Sequence, residues 1–441
     1  MIKWDYAAAA HPLRRAGFGA TRGEILKAVH RGQKKTVGSL LKFKPSNARV
    51  RKDDLYKAQV WWLKRMLHGA SPVAEKLALF WHGHFATSVS KVDDARLMIE
   101  QNRLFRFLGA GKFRDLLMAV SKDPAMIVWL DGRYNTKASP NENFAREVME
   151  LFTLGLVNEA GQPNYTQTDV AQAARAFTGY NFDDKGFQLY ADDHDDGVKT
   201  VLGMTGNLTG DDVVNHLAGM TQCARYLAKK IWSYYAYPNP ETAVIDALSQ
   251  AYLDNDSDIT AVLKEMFLRD EFYSGRAKQE RVSSPVEFVI GTLHTMDAKT
   301  NGNRLPDWVA TMGQDLFNPP NVAGWPGGLV WMTSVRQLER FDFAWSAAAA
   351  RHHDKELSTS PKPLLDGLKK HATPADVVDH VLEVLGPIAA PPATRTTLVD
   401  YLGKDDDGNP APLDLHDKDT VEKKVRGLAG LALMLPEAQL V

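Results

Sequence analysis

In the stretch "NENFAREVMELFTLG", Asn143, Arg146, Glu147 and Glu150 recur at steps of three, four and seven, which places all four on one stripe of a helix. Phe144, Val148, Leu151 and Phe152 fall on the opposite, core-facing side. Glu147 and Glu150, one turn apart, can together grip a cation or serve as an acid/base pair. The same residues also suit a merely solvated face, on which Arg146 pairs with Glu142 and Glu150 for about 0.2–0.5 kcal/mol each.

A second candidate is "ALFWHGHFA", where His82 and His84 flank Gly83. Residues two apart point to roughly opposite sides of a helix. The pair could therefore hold a metal only if Gly83 ends the helix and swings His84 into a loop. Further ligands would then come from Glu147, Glu150 or His194. The alternative is one imidazole at a helix C-terminus and a second hydrogen-bonded in the core. The acidic run "DDHDDG" fails as an EF-hand, because its twelfth position is Gly203 rather than glutamate. His194, with Asp195 and Lys199, could still supply an acid/base or anion contact. Trp325 and Trp331, around Pro326-Gly327-Gly328, would either line a groove for a sugar ring or peptide or simply cover a core.

The elements that must position these residues are mostly helical. Thr21 and Glu24 have capping-box spacing, as do Ser139 with Glu142 and Thr166 with Asp169. Residues 55 to 69 form a helix rich in Trp61, Trp62, Leu63, Met66 and Leu67. The next helix is expected to begin with Ser71 as N-cap and Pro72 in its first turn, and to stop at Gly83. The Glu147 helix is expected from Pro140 to Leu154, closed by Gly155. Tyr165 is placed to staple onto Val170. Between residues 180 and 205 the pattern changes to a hairpin around Asp184-Lys185-Gly186 and a β-branched patch. The fold class read from this is mainly α, a multi-helix array with a small β excursion. Residues 1–350 form the main helical domain, and 351–441 a smaller C-terminal helical part packed on it, joined through a linker at 352–362.

Composition narrows the function. Lys plus Arg number 53 against 54 for Asp plus Glu, so no net field recruits nucleic acid or a membrane surface. A single cysteine, Cys223, leaves no internal disulfide and no Cys-based zinc site. The N-terminal stretch lacks a secretory layout, so the chain as written reads as cytoplasmic.

Taken in order, "HPLRRAGFGAT", "EKLALFWHGHFATS", "NENFAREVMELFTLG", "YTQTDVAQAARAFTGY", "HDDGVKTVLG" and "NPPNVAGWPGG" resemble the signature blocks of the DUF1800 family, a bacterial domain of unknown function. The resemblance implies exported relatives, which makes a periplasmic or secreted location the alternative. It also implies a partner of the DUF1501 type, a sulfatase-like protein. It carries over the polar block residues Arg14, His82, His84, Asn141, Glu142, Asn143, Arg146, Glu147, Glu150, Asp169, Arg175, His194, Asp195 and Lys199, but names no reaction. Gln167 and Gln172 stand where acidic residues are expected. The leading expectation is an enzyme of hydrolase or other acid/base type, its cleft built from Glu147, Glu150, Arg146 and His194. In that cleft Arg14, Asn143, Lys199 and Trp325 would bind substrate, and a divalent metal would sit on His82 and His84. The competing expectation is a non-catalytic scaffold that meets a partner through the Trp325 loop.

Overall fold

Local capping fixes several helix starts. Thr21 and Thr166 each accept the N–H three residues on, and Glu24 and Asp169 return the bond, so two of the three expected boxes form; Ser139 and Glu142 make none, because their helix starts only at Asn143. A computed structural model describes residues 2–45, 54–351, 355–369, 371–386, 388–405 and 407–441. The chain is mainly helical, with three small antiparallel strand pairs. Strands β1 (Tyr180–Asp183) and β2 (Gly186–Leu189) form the expected hairpin, with Phe182 opposite Phe187. Strands β3 (Lys199–Val201) and β4 (Met204–Gly206) make the second pair. The third, β5 (Lys299–Thr300) with β6 (Leu357–Ser358), joins segments far apart in sequence and has no local signal.

The helix Pro72–His84 runs through the centre, buried continuously from Val73 to His82. Such a helix would normally be apolar all round, so its charged residues need internal partners. Glu75 accepts from Trp62 Nε1 (3.0 Å), Arg65 Nε (2.8 Å) and Arg106 Nε (2.9 Å). Lys76 meets Glu287 and the Gly17 carbonyl. The helices Leu55–His68 and Ala95–Leu108 both pack on this helix.

One apolar cluster reaches from Ala8 to Leu433 and draws on both the residues before 350 and those after it. The helices Ser334–Ala349 and Arg426–Leu433 pack together. Arg426 donates to the Ala348 carbonyl (3.0 Å) and to the Thr359 carbonyl (2.8 Å), and Arg340 donates to Gln439 Oε1 (3.0 Å). Of the expected linker at 352–362, residues 352–354 lie outside the described residues, while Leu357 and Ser358 are β6. Among the described residues no helix is long and apolar enough to cross a membrane.

Candidate functional site

The helix carrying the polar stripe starts at Asn143, later than Ser139 and Pro140 suggest. Asn135 holds the preceding segment as a turn: its Oδ1 accepts the Asn141 N–H at 2.8 Å, and Asn141 Oδ1 accepts the Asn143 N–H at 2.9 Å. After Met149 the helix widens into a π-turn, Glu150–Leu154. Gly155, at φ +76°, lets its N–H reach the Glu150 carbonyl five residues back at 3.0 Å. Thr153 Oγ1 donates back to the Val148 carbonyl. A widened turn leaves carbonyls without helical donors, and side chains from elsewhere supply them. Tyr226 donates to Leu151 O (2.9 Å), His84 Nε2 to Phe152 O (3.1 Å), and Asn164 (2.8 Å) and Gln222 (3.0 Å) to Leu154 O.

The π-turn also separates the roles of the two glutamates. Glu150 is anchored, accepting the Tyr165 hydroxyl at 2.7 Å. Tyr165 thus serves the site rather than only stapling its own helix. Glu147 is half-buried and, among the described residues, makes no hydrogen bond or ion pair. Burial and the Glu150 charge raise its pKa above the ordinary glutamate value, with Arg146 opposing. Arg146 is held aside, donating to Glu142 (2.9 Å) and to Gln167 Oε1 (3.0 Å), while Gln167 donates to Glu142 (2.7 Å). An amide at 167 therefore bridges the pair where a second carboxylate would repel Glu142. Asn143 is exposed and donates to Asp131 at 3.1 Å, on the outer end of the stripe.

Gly83 does not stop its helix, which continues to His84. The loop carrying Trp325 lies directly on Gly83: a Cβ at Gly324 would meet the Gly83 carbonyl at 2.4 Å. The two histidines consequently point apart. His82 Nε2 accepts the Phe317 N–H at 3.0 Å, and its ring is enclosed by Trp62, Phe317 and Trp325. Burial pushes its pKa down to about 3. His84 lies among Phe80, Trp81, Phe85 and Tyr226, and donates to the π-turn through Nε2. Burial, with Lys230 nearby, keeps that imidazole neutral. Among the described residues no group of three or more His, Cys, Asp or Glu is arranged to hold a metal ion. Trp325 is half-buried and packs edge-on against His82, covering the core there.

The His194 loop is a third, separate place. His194 Nδ1 lies 2.8 Å from the Thr178 carbonyl, so the ring donates into its own loop. Arg175 grips Asp195 through two bonds (2.7 and 3.0 Å), which holds that carboxyl at about 2. Lys199 is spent on the carbonyls of Asp195 and Gly197 (3.0 Å to the latter). Arg14 lies on the first helix and donates to the carbonyls of Glu383 (3.2 Å) and Val384 (3.3 Å). Of the expected site residues, then, the structure joins Glu147, Glu150 and Arg146 on one helix, with Asn143 at its outer end. It links His84 to them only through a backbone carbonyl.

Sequence reasoning missed Tyr226 and Lys230. They stand one turn apart on the helix Thr221–Tyr235, and the Lys230 ammonium lies 5.4 Å from the Tyr226 ring centre. Burial lowers Lys230 to about 8. Their spacing of four was visible, but nothing local showed which helix they faced.

The protein is thus mainly helical, with Glu147, unpaired among the described residues, beside the anchored Glu150 at the start of a π-turn. The chain belongs to the DUF1800 family, described as "Protein of unknown function (DUF1800)", whose model matches residues 11–440. No curated protein and no solved structure matches it.

Proposed function

We propose that the protein is an acid/base enzyme of hydrolase type, with Glu147 as the group that takes and returns the proton. The observation that carries this reading is the unpartnered, half-buried Glu147 carboxyl in a segment whose other polar groups are bonded. Such a group costs stability, and perturbed carboxyls of this kind cluster at functional sites. Burial, together with the charge of Glu150, itself oriented by Tyr165, raises Glu147 above the ordinary glutamate value and so makes it a stronger base. Any metal-assisted version would rest on these two carboxylates, because His82 and His84 are committed to backbone groups.

The test is a panel of chromogenic carboxylic esters, phosphate esters and glycosides, run with wild type and Glu147→Gln. The expected result is turnover of one class, reduced about 10²- to 10⁴-fold in the variant, with the melting temperature unchanged. Absence of turnover in all three classes, or equal turnover in the variant, contradicts the reading. A variant that melts far below wild type would instead support the scaffold reading. The exposed Leu329 (81%) just after Trp325, with Val335 (68%) and Leu338 (62%) on the helix that follows, favours that alternative.

A further inference from the structure

A cavity of about 300 Å³ lies between the helix Tyr6–Ala16, the helix Pro285–Thr295, the residues Leu385, Gly386, Ile388 and Ala389, and the segment Leu433–Val441. None of the stripe residues lines it, so it is a different place from the Glu147 site. Four of its lining residues are basic: Arg14, Arg15, Lys278 and Arg281. Arg281 is matched by Glu287 at 2.6 and 2.8 Å.

Among the described residues Arg14 and Arg15 have no such match, and Arg14 donates there only to the two carbonyls of Glu383 and Val384. Arg15, 3% exposed, donates to the carbonyls of Ala236 (3.0 Å) and Ala277, and its Nη1 is buried without any partner. Lys278 forms no ion pair among the described residues. Bonded directly only to neutral oxygens, the two guanidinium groups are compensated only at longer range, Arg14 by Glu383 and Arg15 by Glu287, which is costly in a covered site. Burial accordingly lowers the pKa of both arginines. The carboxylates also on the wall are Glu383, which is exposed, and the half-buried Glu437, whose Oε2 has no hydrogen-bond partner among the described residues, with Glu287 already held by Arg281 and Lys76. The remaining wall is apolar, including Phe18, Leu385, Ile388 and Leu433.

We propose that this cavity binds a small amphipathic organic anion, its carboxylate or phosphate head on Arg14 and Arg15 and its apolar body against Phe18, Leu385 and Ile388. Guanidinium forks match the planar and tetrahedral oxyanions alike, so the two heads share one recognition chemistry. Apolar walls with a few convergent polar groups are the usual make-up of a small-molecule site.

Isothermal titration calorimetry on the full chain tests this with hexanoate, hexyl phosphate, inorganic phosphate and hexyltrimethylammonium. At least one hexyl anion should bind, inorganic phosphate more weakly and the cation not at all. The tighter of hexanoate and hexyl phosphate identifies the head group. Arg14→Gln should weaken the bound anion by about tenfold or more. Arg15 is too deeply bonded to replace safely, so the second variant is Ala389→Trp, at an exposed position on the cavity wall. It should block binding while the unliganded melting temperature stays unchanged. The proposal is overturned if neither hexyl anion binds, if the cation binds equally well, or if both variants keep full affinity.

Discussion

Replacing Glu287 with alanine is expected to destabilise the fold by about 3–5 kcal/mol, the cost of leaving buried cations without their anion. Glu287 receives Arg281 through both terminal guanidinium nitrogens, Lys76 through its ammonium, and the Ser284 N–H at 2.8 Å. Lys76 is fully buried, between the rings of Phe18 and Tyr234, and burial already lowers it to about 8. Without Glu287 it would have to shed its proton or admit water. Glu287→Gln retains the cap on Ser284 but removes the charge, so a similar loss in both variants assigns the cost to the ion triad. Burial alone would raise the Glu287 pKa, yet Arg281 and Lys76 outweigh it and hold the carboxyl well below its usual range. A depressed carboxyl stabilises above its unfolded pKa and loses that contribution as pH falls through the folded value. The wild-type advantage over Glu287→Gln should therefore shrink in acid. Urea unfolding at neutral and acidic pH measures both effects; a loss below about 1 kcal/mol in each variant would mean the triad contributes no more than a surface pair.

Replacing His82 with alanine should cost about 2–4 kcal/mol, from the cavity left and the hydrogen bond lost. The orphaned donor would be the Phe317 N–H, on a residue held at φ +64°. A non-glycine residue keeps that left-handed conformation only where its surroundings enforce it. His82→Phe refills the volume without an acceptor, so its cost, about 1–3 kcal/mol, isolates the bond. The sign with pH is fixed by burial, which depresses His82 to about 3. Below the ordinary histidine value the unfolded chain takes a proton that the folded ring refuses, so wild-type stability falls with pH through that range. The penalty of His82→Ala should accordingly be largest above neutrality and shrink in acid. Unchanged chemical denaturation would remove His82 from the scaffold and return it to the list of ligand candidates.

These two residues show where sequence reading succeeds and where it stops. The capping boxes at Thr21 and Thr166, the hairpin over Asp184-Lys185-Gly186 and the shared helix of Glu147 and Glu150 depend on neighbours within a few residues. All were legible. Gly83 carried the usual sign of a helix stop, but the Gly324 loop packs onto it and uses its missing side chain for close approach. The π-turn at Glu150 requires Gly155 and donors from positions 84, 164, 222 and 226. No local pattern reports partners that far away. The anion cavity is harder still, because its walls come from both ends of the chain. Arg14 stood out in the sequence for its motif; Arg15, with the buried unpartnered nitrogen, did not.

Proton transfer by Glu147 requires its carboxyl to be free and raised above the ordinary glutamate value. Carbon-13 NMR of glutamate-labelled protein reads this directly, with the Glu147 resonance assigned by its absence in Glu147→Gln. This carboxyl is expected to titrate above the ordinary glutamate range and to move down toward it in Glu150→Gln, because the neighbouring charge is gone. A Glu147 that titrates at or below the ordinary range, with no response to Glu150→Gln, would contradict its role in proton transfer.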